Sequence, residues 1–396
     1  MSFSSTTTSS SMSFACFLVV LIVFSNDRLV HASGCYTSII SFGDSLADTG
    51  NLKGLATIAD ELYPCLLPPY GESFANQPTG RCSNGRLIID FLAESLGLPL
   101  IPSFVHKGPD NIAAFEQGVN YAVAGATALS ASFLEAKWTE KSVNNASLQT
   151  QLSWFQKSLP SICGNTSACR DYIGRSLFLI GEIGGNDYNY PLLVGKPIEE
   201  AESYVPLVID TIFSTINEVI DMGAQTLVVP GNFPIGCSSS YLTTRAFLNE
   251  ERDPSTGCLI QLNEFAEYHN QMLQSRLNEI RELHPNVIIM YGDYFNAAMQ
   301  FYRSPPEFGF TNGVLKACCG GGGPYNYNTE ARCGYEPATA CDEPDTYANW
   351  DGVHLTEAAY KVIFKGLFEG TFTKPEFRSV CHASESQVNI GSSSAM

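Results

Sequence analysis

Tyr36-Thr-Ser-Ile-Ile-Ser-Phe42 runs into Gly43-Asp44-Ser45-Leu46-Ala47-Asp48-Thr49-Gly50-Asn51, an apolar, β-branched stretch that stops at a glycine and passes into small and acidic residues. The spacing predicts a strand over 36–42, a tight turn at Gly43 and an Asp44 placed to cap the helix that follows. Ser45 then lies just beyond the strand end. In parallel α/β sheets the loops past the carboxyl ends of strands gather the reactive groups. A serine there is a candidate nucleophile, although its hydroxyl stays weak until a neighbouring base takes the proton. The flanking residues do not spell Gly-x-Ser-x-Gly, which disfavours a mid-chain nucleophile elbow.

The same strand-then-glycine pattern recurs outward from this segment. Apolar runs at 118–125, 177–180, 226–230 and 287–291 predict four further strands, and helical periodicity covers 86–96, 198–222, 258–283 and 355–368. Short β-branched runs separated by amphipathic helices predict an α/β fold, with a central, mostly parallel five-stranded sheet covered on both faces. No repeat and no Pro- or Ser-rich linker interrupts the pattern. Residues 34–383 therefore read as one domain, and the Ser-rich 384–396 as a frayed tail.

A base for Ser45 is found near the other end of the chain. In Trp350-Asp351-Gly352-Val353-His354 the acid and the imidazole stand three residues apart, just before the last predicted helix. A tight turn there lets Asp351 bond the Nδ1 side of His354, leaving Nε2 to accept the serine proton. Acyl transfer also needs donors for a developing oxyanion. The candidates are the Ser45 N–H, the N–H of Gly125 in Ala122-Val-Ala-Gly125, and the amide of Asn186 in Gly184-Gly185-Asn186-Asp187-Tyr188. His106, His269, His284 and His382 read as packing or surface groups. No cofactor or metal motif stands above background.

The chain starts with a Ser/Thr-rich stretch and an apolar run over 14–24, shorter than the roughly 20 residues a membrane span requires. Residues 1–33 read as a signal peptide, with small residues Ala32, Ser33 and Gly34 for cleavage. No second long apolar run exists, so stable membrane insertion is not expected. Of 13 cysteines, Cys16 falls in that segment, and the remaining even dozen reads as disulfides. Cys318, Cys319, Cys333 and Cys341 match no common zinc spacing and contain no histidine among them. Asn145-Ala-Ser147 and Asn165-Thr-Ser167 are glycosylation acceptors, which fits the same compartment. The formal charge of −18 makes nucleic acid a poor partner. Together these features predict a protein of the secretory pathway, extracellular or vacuolar.

Four blocks in order, Phe42-Gly43-Asp44-Ser45, Gly118-Val-Asn-Tyr121 leading to Gly125, Gly184-Gly185-Asn186-Asp187-Tyr188 and Asp351-Gly352-Val353-His354, resemble the plant GDSL esterase/lipase family of SGNH hydrolases. The resemblance runs from about residue 39 to about 381. Pro69-Tyr70-Gly71-Glu72, Pro78-Thr-Gly-Arg-Cys-Ser-Asn-Gly-Arg86 and Pro234-Ile-Gly-Cys237 are also family-like. The stretches 118–129 and 319–327 look nearest the subgroup containing acetylajmalan esterase and sinapine esterase. Val123-Ala124 departs from the Ser and Gly of many relatives, beside the proposed Gly125 donor.

The resemblance implies a three-layer α/β/α sandwich, Ser45 as nucleophile, His354 as base, Asp351 as its orienting acid, and Ser45 N–H, Gly125 and Asn186 as oxyanion hole. It implies a small-molecule ester as substrate, of the kind found among acyl esters of plant specialised metabolites. An acyltransferase with a bound alcohol in place of water would use the same residues, as would a lipase on acyl lipids. A binding or defence protein without turnover would not need the set intact.

Overall fold

The computed structural model describes residue 1 and residues 35–59, 63–107, 112–137, 145–248 and 250–381. Apart from Met1, the expected signal peptide 1–33 lies outside the described residues, as does the expected tail 384–396.

Strands β1 (Ser38–Phe42), β2 (Gly118–Asn120), β3 (Ser176–Ile180), β4 (Thr226–Pro230) and β5 (Ile288–Gly292) run parallel in the order β2-β1-β3-β4-β5. Their apolar runs are continuous because both faces are covered, and alternate residues feed two cores. Ile40, Phe42, Phe178, Ile180, Leu227, Val229, Ile289 and Tyr291 pack into one. Ile39, Leu177, Leu179, Val228 and Met290 pack into the other. Each such side chain contributes about 1.5–3 kcal/mol when fully buried.

On the first face lie α1 (Asn51–Ala59), α3 (Leu148–Cys163), α5 (Ile198–Met222) and much of α6 (Ile260–Leu283); on the second lie α2 (Ile88–Ser95), α7 (Tyr294–Arg303) and α8 (Glu357–Phe364). α4 (Gly185–Leu193) packs beside α5. The result is the α/β/α sandwich expected from the strand and helix pattern. Among the described residues, no helix is long and apolar enough to cross a membrane.

Strand β2 takes up Gly118–Asn120 of the strand-to-loop unit 118–125; beyond it the Tyr121 and Val123 N–H groups still donate to the Ser41 and Gly43 carbonyls, and the Asn51 amide takes the carbonyls of Asn120 and Ala122 at 2.8 and 2.7 Å. Two features differ from the expectation. A second, two-stranded parallel sheet, β6 (Gly313–Ala317) with β7 (Tyr347–Asn349), forms in a stretch without a strand signal. A short β8 (Thr373–Lys374) then pairs antiparallel with β5, making the main sheet six-stranded.

Ten of the twelve cysteines are paired: 35–381, 163–169, 237–258, 318–341 and 319–333. Cys65 and Cys82 are the exceptions to the expected dozen. They are buried thiols held by a hydrogen bond to each other. Cys35–Cys381 closes a loop with a sequence separation of 346. By loop entropy that restricts the unfolded chain by on the order of 5 kcal/mol.

Candidate active site

With β2 and β3 on either side of β1, the loops after all three meet at one point, the place where strand order reverses. Gly43 leaves β1 at φ +143°, and a Cβ there would touch the Glu182 carbonyl oxygen at 3.0 Å, so the turn is closed to larger residues. Gln151 on α3 fastens that turn from both sides: its Oε1 accepts the Gly43 N–H at 2.9 Å and its Nε2 donates to the Gly43 carbonyl at 2.8 Å. Ser45 is carried on this rigid turn.

The Ser45 hydroxyl donates to His354 Nε2 at 2.8 Å, and His354 Nδ1–H donates to Asp351 Oδ2 at 2.7 Å. Asp351 Oδ1 accepts the backbone N–H groups of Val353 and His354 at 2.9 and 2.8 Å, closing the turn that spaces the pair. Burial alone would lift Asp351, but the imidazole charge and these hydrogen bonds hold it below the ordinary carboxylate range. Burial disfavours the imidazolium; the Asp351 carboxylate, with Asp44 behind it, outweighs that and raises His354 above its usual 6.5. The structure thus brings Ser45, Asp351 and His354 into one hydrogen-bonded chain.

Gly125 turns at φ +82° in the loop after β2. Its neighbour Ala124 has its N–H taken by Asp48 Oδ2 at 2.8 Å. Asp48 also accepts the N–H groups of Gly50, Asn51 and Leu52, so one buried carboxylate ties the start of α1 to the Gly125 loop. Ala128 and Leu129 are held in turn by Asp187 at 2.8 and 2.9 Å. Among the described residues, the Ser45 and Gly125 N–H groups have no hydrogen-bond partner, and both residues line the cavity that holds His354. Asn186, at the start of α4, lines it too. Its Nδ2 donates to the Ala126 carbonyl at 2.9 Å and, at a long 3.3 Å, to Asp44 Oδ2. One amide hydrogen is therefore fixed and the other weakly held.

Tyr70 escaped sequence reasoning. Its buried hydroxyl donates to Asp351 Oδ2 at 2.6 Å, and its ring meets Trp350 edge-on. The Pro69-Tyr70-Gly71-Glu72 stretch was noticeable, but nothing local ties it to a carboxylate 281 residues away. Asp44 and Glu182 form a second unanticipated feature, a carboxyl pair beside the serine turn. Burial pushes Asp44 up to about 6 and Glu182, beside the Asp44 charge, well above the ordinary range. His269 is a packed histidine: its Nδ1 lies 2.8 Å from the Tyr188 hydroxyl and burial lowers it to about 3. His284 bonds Asn217 away from the site. Asn145 and Asn165 are exposed, and Asn165 Oδ1 caps a helix by accepting the Ala168 N–H at 3.0 Å.

Comparison with known proteins places this geometry in context. The family described as GDSL-like lipase/acylhydrolase matches residues 39–367. The protein named GDSL esterase/lipase At1g28590, from Arabidopsis thaliana, is 54% identical over 351 residues, covering 88% of this chain and 86% of its own length. GDSL esterase/lipase At1g28580, from the same plant, is 54% identical over 359 residues, with 90% and 91% covered. GDSL esterase/lipase At2g27360 is 52% identical over 348 residues, with 87% of each covered.

Proposed function

The chain belongs to the GDSL-like lipase/acylhydrolase family and is an ester hydrolase, and from that premise we propose that it works as a secreted serine carboxylic-ester hydrolase through an acyl-enzyme. Ser45 is the nucleophile, His354 the base and Asp351 the group that orients it. The observation that carries the reading is the continuous hydrogen-bonded chain from Ser45 Oγ through His354 to Asp351, at 2.8 and 2.7 Å.

Ser45 Oγ attacks the ester carbonyl as His354 Nε2 takes its proton, and the carbonyl oxygen becomes an oxyanion facing the Ser45 and Gly125 N–H groups and the Asn186 amide. The carbon–oxygen bond to the alcohol breaks, His354 returns the proton to the departing oxygen, and the acyl group stays on Ser45. Water then attacks with His354 again as base, releasing the acid and restoring the hydroxyl.

The substrates in this reading are small acyl esters, acetyl or hydroxycinnamoyl esters of plant specialised metabolites among them. Export is supported by five disulfides, which persist in oxidising compartments, and by the two exposed acceptor asparagines. Residues 1–33 are then removed, which the N-terminal sequence of the mature protein tests. For the chemistry, Ser45→Ala should lower kcat on a short-chain aryl ester by about 10⁶ while the protein stays folded. Near-normal turnover by that variant sinks the assignment.

A further inference from the structure

Two cavities of very different size meet at the Ser45–His354 pair, and both also touch Asn186, Asn189, Leu193 and Val353. The smaller has a volume of ≈ 80 Å³ and runs between Leu46, Phe233, Ile235, Tyr302 and Leu355. The larger has a volume of ≈ 480 Å³ and is walled by Tyr63, Tyr190, Tyr327 and Tyr335, with the exposed Arg332 at its rim.

Resting on the reading of Ser45 as an ester-cleaving nucleophile, we propose that the site sorts its substrate by size, a short acyl group entering the small apolar cavity and a bulky aromatic alcohol the large one. Volume decides the first half. A cavity of about 150 Å³ is what accommodates one benzene ring. The ≈ 80 Å³ beside Leu46 is too small for a ring. It suits a short acyl chain, so acetyl esters are selected over hydroxycinnamoyl ones.

Orientation decides the second half. Gly125, whose free N–H faces the developing oxyanion, and Asp351, which backs the proton-carrying His354, line only the larger cavity. The departing oxygen must leave beside His354 Nε2, and its alcohol finds room only on that side. The remaining substituent of the tetrahedral carbon is the acyl chain, and the small cavity under Leu46 is what is left for it. The larger volume falls in the range of sites that enclose a drug-sized molecule. Tyrosine faces offer stacking surfaces to a planar ring, and Arg332 lies over Tyr335 at 5.9 Å, extending that wall. Once the alcohol leaves, the same side admits the water that cleaves the acyl-enzyme.

The test is a two-way substrate matrix on the purified mature protein. Acetate, butyrate, octanoate and cinnamate esters of one hydroxycoumarin probe the acyl side, and acetates of that hydroxycoumarin and of a single-ring phenol of matched acidity probe the other. The coumarin acetate should be preferred, with kcat/KM lower by about 100-fold for octanoate and cinnamate. Phe233→Ala should raise the octanoate-to-acetate ratio by about 10-fold or more, with Ile235→Ala as the second variant if the first does not fold. Tyr335→Ala should raise KM for the coumarin esters and leave the acyl-length ratio in place. Equal or better turnover of octanoate and cinnamate by the unaltered enzyme overturns the proposal, as does a change in acyl-length ratio from Tyr335→Ala and none from Phe233→Ala. Failure of the esterase reading is distinct: no ester in the matrix is cleaved, or Ser45→Ala cleaves them all.

Discussion

At the scale of single residues, the site turns on how Asp351 divides its charge. A histidine works as a base only when neutral, so a raised His354 pKa places the acidic limb of kcat/KM above pH 6.5. Activity should rise with pH through that limb. In Asp351→Asn the opposing carboxylate is gone while the burial remains, so the limb should move below 6.5 and kcat should fall by on the order of 10⁴, less than for Ser45→Ala. A pH–rate series on both proteins checks the sign. Tyr70 acts one step further back as a positioning residue. Its hydroxyl draws charge from Asp351 Oδ2, the same oxygen that holds His354 Nδ1. Tyr70→Phe should lower kcat/KM by about 10-fold and move the acidic limb upward, because the carboxylate then acts on His354 unshared. In an Asp351→Asn background the same substitution should cost nothing, since its partner is already neutral. Simple loss of packing would move neither the limb nor the coupling.

At the scale of elements, catalytic geometry depends on loops welded together by buried polar side chains. Asp48 joins the loops after β1 and β2, Asp187 joins those after β2 and β3, and Gln151 pins the first of them to α3. Arg81 adds the segment before α2: Nε and Nη2 grip Asp90 at 2.8 and 2.7 Å, and Nη1 reaches the Thr49 carbonyl. The pair is nearly inaccessible, at 7% and 0% side-chain exposure, so neither charge can be rescued by water. Asp90→Asn leaves the guanidinium buried without its counter-charge and should destabilise the protein by about 3–5 kcal/mol, read from denaturant midpoints. Arg86 to Glu357, one-quarter exposed on the arginine side, should matter far less.

At the scale of the whole molecule, buried carboxyls set the pH dependence of stability. Burial pushes Asp187 up to about 7 and Asp44 up to about 6, and raises Asp48 and Glu182 as well. Each binds its proton more tightly folded than unfolded, so between about pH 4 and 7 the native state holds more protons and stability falls as pH rises. A formal charge of −18 works in the same direction. Asp351, held low, opposes this at the acid end, and His269, lowered to about 3 by burial, opposes it between about pH 3 and 6.5, so the fall is steepest above that window. Thermal melts at constant ionic strength should therefore give a higher Tm at pH 5 than at pH 8, while activity runs the other way.

Much of the main sheet was legible in the chain because a strand buried on both faces must be apolar throughout, and a backbone of fixed repeat writes its period into the side chains. The five parallel strands, α5 at Ile198–Met222 and the strand-end positions of Ser45, Gly125 and Asn186 all rest on that local rule. The small sheet of β6 and β7 was not legible: Gly313–Leu315 are only partly buried, Lys316 is exposed, and the buried Ala348 and Asn349 make no strong apolar run. Tertiary structure alone decided which cysteines pair, that Cys65 and Cys82 remain thiols, that Tyr70 bonds Asp351, and that two unequal cavities meet at Ser45. Apart from Cys163–Cys169, six residues apart, these are contacts across tens to hundreds of residues. They follow from how elements pack against one another, which residue spacing along the chain does not encode.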